Sequence, residues 1–195
     1  MNLNLVEIAC VLDRSGSMES MKAEAIAGFN ALLEDQKKEP GEVRFTLILF
    51  DNEYLKVINH MPIGEVPKLT DKTFEPRGMT ALLDAMGRTI DEIGQRLANT
   101  PEDQRPCKVI ITCMTDGFEN ASRRYSNARI AEMIELQRTK YNWEFIFLGA
   151  TLESNQMAKS WTLHDEDVVL YNASKEGTTY ALEEISQGLY KKRRC

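Results

Sequence analysis

Three short polar runs hold the residue types that could do chemistry in this 195-residue chain. Asp13-Arg14-Ser15-Gly16-Ser17 follows the apolar run from Leu5 to Leu12. Gly78-Met79-Thr80 opens an amphipathic stretch, and Thr115-Asp116-Gly117 closes the run KVIITCMT. Together they offer two carboxylates, several hydroxyls and flexible glycine backbone, all of them hard oxygen donors. Mg²⁺, which takes about six oxygens at ~2.1 Å, selects such a set. Zinc would want thiolate and imidazole, but the 4 cysteines are far apart with no C-x-x-C, and His60 and His164 are isolated. Each run alone is weak: D-x-S-x-S and Thr80 are also helix caps, and T-D-G is also a turn. Their joint order, each at an inferred strand end or helix start, makes them a candidate site.

The elements that must position these runs alternate between strand and helix. Leu5 to Leu12, Val43 to Phe50, Lys108 to Thr115, Trp143 to Ala150 and Asp167 to Ala173 read as strands. Tyr54 to Ile58 reads as an antiparallel edge strand, because the Asp51-Asn52-Glu53 connection is too short for a crossover. Helices are predicted over Met21 to Lys38, about Thr80 to Ala98, about Asn127 to Tyr141, around Asn155 to Trp161, and through Leu182, Ile185 and Leu189. Met61 to Gly78, with three prolines and two glycines, reads mostly as loop, and a loop of that length is usually functional or disordered. The pattern predicts an α/β fold: a doubly wound, mostly parallel sheet with one antiparallel edge strand and helices on both faces. Ligands of such sheets bind beyond the carboxyl ends of the strands, where strand order reverses.

VLDRSGSM, the stretch Gly78 to Ala85 and Thr115-Asp116-Gly117 resemble the three segments of a von Willebrand factor A domain with an intact metal-ion-dependent adhesion site. The resemblance runs from Leu5 to about Ala173 and implies a single domain over residues 1–195, with a core at about 5–173 and a C-terminal helix at about 174–193. It implies a metal shell of Asp13, Ser15, Ser17, Thr80 and Asp116 around Mg²⁺, with Mn²⁺ or Ca²⁺ as substitutes. It also implies a partner protein that supplies a carboxylate to the metal. The D-R-S-G-S-M variant looks like stand-alone cytoplasmic bacterial members, including tellurite-resistance-associated ones, which points to an adaptor in a stress-related or assembly system. Cys10 and Cys113 each precede a strand-end aspartate by the same interval, and the family's strand order sets those strands side by side. The two thiols are therefore expected to be buried, reduced neighbours on one face.

Charge and composition limit the alternatives. With 30 Asp+Glu against 24 Lys+Arg the formal charge is −6, which argues against nucleic-acid and anionic-membrane binding. The opening MNLNLVEIAC has neither a basic region nor a long apolar core, so no leader or membrane span is expected, and a cytoplasmic protein with reduced cysteines is. Two carboxylates balance one divalent ion, and neutral hydroxyls leave it electrophilic toward an anionic oxygen from outside. The positive end of a helix beginning near Met18 adds attraction. Arg14 and Arg77 flank the site and could pair with an acidic partner, while Phe118, Glu119 and Asn120 lie on the same rim. Asp84 is read as serving local electrostatics, and the basic tip Lys191 to Arg194 as a favourable helix end. The competing class is a metal-dependent phosphoester hydrolase, which needs a base near an open metal position or a second ion. No histidine lies in any of the three runs, so a non-enzymatic interaction module is the leading expectation.

Overall fold

From Val6 to Asp13 every residue of the first strand is buried, which demands cover on both faces of the sheet it joins. The computed structural model describes residues 1–194. Its elements run β1 (Asn2–Asp13), α1 (Lys22–Lys38), β2 (Glu42–Phe50), β3 (Tyr54–Pro62), α2 (Leu82–Ala98), β4 (Pro106–Thr115), α3 (Asn127–Tyr141), β5 (Glu144–Gly149), α4 (Leu152–Lys159), β6 (Val168–Leu170) and α5 (Lys175–Lys192). Among the described residues, six strands form one sheet in the order β3-β2-β1-β4-β5-β6. All neighbours are parallel except the edge pair β2–β3. The doubly wound α/β sheet with one antiparallel edge is therefore the observed fold.

Alternation along the strands divides the core in two. Ile8, Cys10 and Leu12 face α1 and α5, where Phe29, Leu33, Leu182 and Leu189 are buried. Ala9 and Val11 face α2 and α3, where Met86, Ile90, Ile130 and Ile134 are buried. The β1-to-β2 crossover runs one way and β4 sits on β1's other side, so strand order reverses between β1 and β4. That reversal opens a crevice at their carboxyl ends. Asp13 is the last residue of β1, and Asp116 is the first residue after β4.

Several boundaries differ from the sequence reading. A 3-10 turn over Gly16–Met21 precedes α1, so the regular helix begins at Lys22 rather than near Met18. Helix α4 starts at Leu152, because Thr151 and Ser154 form a reciprocal cap that the apolar spacing did not reveal. The segment from Met61 to Gly78 is mostly loop, as expected, but it is packed against the core. β3 continues to Pro62, and Val66, Leu69 and Phe74 are buried in the α1 side of the core. Asn30 of α1 pins the segment by donating to the Leu69 carbonyl (2.9 Å) and accepting from its amide (2.8 Å).

The strand alignment inferred from the cysteines is wrong. Cys10 pairs with Thr112, and Cys113 pairs with Val11. A one-residue offset turns side chains to opposite faces, so Cys10 lies in the α1 side of the core and Cys113 in the α2 side. Both are nonetheless buried and free. Burial pushes the Cys10 thiol up to about 12 and Cys113 well above its ordinary value. The expectation of reduced thiols fails at Cys107, which is disulfide-bonded, and at Cys195 it lies outside the described residues. No helix among the described residues is long and apolar enough to cross a membrane.

Candidate metal centre

The three runs converge at the crevice between β1 and β4. Ser15 Oγ lies 3.1 Å from Ser17 Oγ, which donates to Asp116 Oδ1 at 2.8 Å. A methyl group built on Gly117 would stand 2.9 Å from Thr80 Oγ1 and 3.7 Å from both Ser15 Oγ and Ser17 Oγ. Three hydroxyls from two separate loops therefore surround one backbone position of a third loop, and only glycine leaves them room. Asp13 completes the group from beneath: its Oδ1 accepts the Ser15 amide (2.6 Å) and its Oδ2 the Thr115 hydroxyl (2.5 Å). The loop approach depends on Gly78, whose φ of +67° is left-handed and whose added Cβ would collide with the Asn52 side chain. Its carbonyl accepts the Gly16 amide at 3.2 Å, joining the second run to the first.

Asp13 is fully buried and Asp116 nearly so. Burial pushes the Asp13 carboxyl up to about 7, against hydrogen bonds from Thr115 and Ser15 that favour the anion and with a small push from Asp116. Asp116 is likewise raised by burial, partly offset by Ser17. Among the described residues neither aspartate has a basic partner within ion-pair distance. Two shielded carboxylates with only oxygen donors around them are the arrangement a hard divalent cation would neutralise. Asp13, Ser15, Ser17, Thr80 and Asp116 fit such an ion. No group of three or more His, Cys, Asp or Glu suited to a metal occurs among the described residues, so this set depends on its hydroxyls.

Several rim residues have different work from that expected. Arg14 is buried, with Nε 3.2 Å from Asp51 Oδ2, and Arg77 Nε donates to the same oxygen at 3.0 Å while also pairing with Glu53. Both guanidinium groups are committed inside the chain rather than held out to a partner. Glu119 is not a loose surface acid. It accepts the amides of Leu83 (2.8 Å), Ala121 (3.0 Å) and Ser122 (2.7 Å) and the Ser122 hydroxyl (2.7 Å), capping the start of α2 from another loop. Asn120 Oδ1 accepts the Thr80 amide at 2.9 Å, and its own amide donates to the Thr80 carbonyl at 3.0 Å. Asp84 answers from α2, accepting the amides of Arg123, Arg124 and Tyr125 at 2.9–3.0 Å. Thr80 is thus held by a loop locked at both ends.

Sequence reasoning passed over Asp51, which is fully buried, anchors both arginines, and accepts the Ala81 amide on its carbonyl at 2.9 Å. Its signal was available: it follows β2 as Asp13 ends β1 and Asp116 follows β4. Met79 and Phe118, on the two loops that meet at Thr80, are about half exposed, at 52% and 53%. At the basic tip, Lys192 is 2.8 Å from both Glu144 and Asp167, and Arg193 donates to the Gln36 carbonyl.

The sheet order, the antiparallel edge and the crevice at the β1–β4 reversal define a von Willebrand factor A-type fold. The chain is similar to proximal thread matrix protein 1 of the mussel byssus (16% identity, 94% of this chain, 45% of that one, TM-score 0.62). It is similar to the von Willebrand factor domain of the type V pilus tip protein Mfa5 from Porphyromonas gingivalis (12% identity, 95% of each chain, TM-score 0.64). A third similar structure is the manganese-loaded TRAP protein of Plasmodium vivax (14% identity, 93% of this chain, 73% of that one, TM-score 0.58). This chain spans less than half the length of the mussel protein. No family model matches the chain, and no curated protein matches it.

Proposed function

We propose that this protein is a non-enzymatic, Mg²⁺-dependent interaction module that binds an acidic side chain of a partner protein. The observation that carries the proposal is the convergence of Asp13, Ser15, Ser17, Thr80 and Asp116 from three loops onto one point. A divalent ion there would supply a Lewis-acidic position open to an anionic oxygen. The two aspartates balance its charge, and the hydroxyls of Ser15, Ser17 and Thr80 add oxygens without further charge. A partner carboxylate is then attracted rather than repelled. Met79 and Phe118, exposed beside Thr80 and Gly117, offer apolar contact to residues flanking that acid. A similar structure that is manganese-loaded, and another that sits at a pilus tip, support reading the site as a metal-dependent contact. The setting we propose is an adaptor in a bacterial stress-related or assembly system.

The test compares wild type with Thr80→Ala in a pull-down with Mg²⁺ and with chelator, alongside phosphatase and nuclease assays in Mg²⁺ and Mn²⁺. A partner retained only with metal, and lost in Thr80→Ala, is the expected result. Metal-dependent turnover of phosphoesters that disappears in Asp13→Ala would replace this function with hydrolysis.

A further inference from the structure

Tyr171 follows the short edge strand β6, with its amide bonded to the Gly149 carbonyl at 3.2 Å, two strands away from the metal centre's floor. Its ring is buried in the α1 side of the core, and the residue is only 3% exposed. Its hydroxyl is buried too, yet among the described residues it has no hydrogen-bond partner. Apolar packing explains an aromatic ring at this place but not an oxygen, because a buried hydroxyl without a partner is costly and phenylalanine would fill the same space. Strand register supplies the missing reason: Leu170 pairs with Gly149 and Gly149 with Thr115, so Tyr171 leaves β6 at the same carboxyl edge at which Asp116 leaves β4. Burial, and after it the negative charges of Asp116 and Asp13, hold the Tyr171 phenol well above its ordinary range. Those charges act on the oxygen from the same carboxyl edge of the sheet on which Tyr171 lies.

We infer that Tyr171 is a positioning residue of the metal centre, its hydroxyl holding a buried water against the carboxylates of Asp116 and Asp13. A buried water needs two to four polar partners, and these three side chains provide them. Carboxylates that bind a metal are commonly oriented by hydrogen bonds from groups behind them. Here the hydroxyls of Ser17 and Thr115 orient Asp116 and Asp13 from the loop side and the strand side. Tyr171 adds an anchor from the far edge of the sheet. The inference rests on the metal-centre reading, and it extends that centre to an element that carries none of the three sequence runs.

The experiment compares wild type with Tyr171→Phe, which keeps the ring and removes only the oxygen. Isothermal titration with Mg²⁺ and with Mn²⁺ gives the dissociation constant, and thermal unfolding in chelator gives the stability of the metal-free fold. A Kd at least fivefold weaker, with a melting temperature in chelator that is unchanged or higher, is the expected result. An unchanged Kd overturns the proposal while leaving the metal centre standing. A weaker Kd accompanied by a lower melting temperature in chelator assigns Tyr171 a packing role and also overturns it. If the wild type takes up neither metal, the metal-centre reading falls and this one with it. Tyrosine-labelled ¹³C NMR of the wild type supplies a second measurement. The Tyr171 ring-oxygen carbon moves on adding Mg²⁺ and returns with chelator; a Tyr171 signal that stays put counts against the proposal.

Discussion

Replacing Asp13 by asparagine separates the cost of the buried charge from the benefit of the metal. With its carboxyl raised from 3.8 to about 7, Asp13 binds a proton more tightly in the folded chain than in the unfolded one. Stability from this group is therefore complete below about pH 4 and is lost as pH rises through about 7. Three units at ~1.4 kcal/mol each give a penalty on the order of 4 kcal/mol once Asp13 is ionised. Asparagine carries no charge but has one acceptor oxygen in place of two. Either the Ser15 amide or the Thr115 hydroxyl loses its acceptor, at about 1–3 kcal/mol. In chelator at pH 8, Asp13→Asn should thus be more stable than wild type by about 1–3 kcal/mol. At pH 4, where wild-type Asp13 is protonated, the advantage should disappear or reverse. Mg²⁺ at a hundredfold excess over its Kd should then add about 2.7 kcal/mol to wild type and nothing to the variant. Urea unfolding at both pH values, with and without Mg²⁺, reads all four quantities. A variant that is less stable than wild type by the same margin at pH 4 and pH 8 would refute the claim that burial penalises the Asp13 charge.

Three further predictions follow from the same geometry. Asp116→Ala should keep its far-UV circular dichroism but lose the rise in melting temperature, about 5–10 °C, that Mg²⁺ gives the wild type; a retained rise removes Asp116 from the shell. Glu119→Ala leaves three amides and a hydroxyl without their acceptor, so it should cost about 2 kcal/mol by urea unfolding and weaken Mg²⁺ binding through Thr80; an effect below 0.5 kcal/mol would show that the loop is held otherwise. His60 is lowered to about 4 by burial and by the charges of Arg96 and Arg44, so the folded chain binds its proton less tightly than the unfolded chain does. Stability should fall as pH drops from about 6.5 toward 4, and His60→Gln should flatten that part of the urea-midpoint profile.

Much of this molecule is written in local patterns. Near-continuous apolar runs such as Lys108 to Thr115 have the pattern of strands covered on both faces, and the Asp51-Asn52-Glu53 connection is too short for a crossover between parallel neighbours. Those two facts define the sheet's type, and the placement of the three polar runs at its strand ends brings the candidate ligands to one rim. All five converge because strand ends and helix starts of a doubly wound sheet share that rim, whatever the detailed register. Register itself is decided by how the crossover helices seat on the sheet, which involves contacts between residues far apart in the chain. Counting back equally from Asp13 and Asp116 therefore put Cys10 and Cys113 on one face, while packing put them on two. The same holds for charge. Arg14 and Arg77 read as free rim groups because their partners Asp51 and Glu53 lie more than twenty residues away, and the tie from Glu119 to Leu83 of α2 is equally distant although its contacts with Ala121 and Ser122 are local. Sequence alone singled out the oxygen donors of the candidate site and the end of the sheet that carries them. Tertiary structure decided which charges are already paired, which carboxylates are buried with no basic side chain beside them among the described residues, and that the Tyr171 hydroxyl is buried without a partner there, because desolvation and pairing depend on neighbours that only folding brings together.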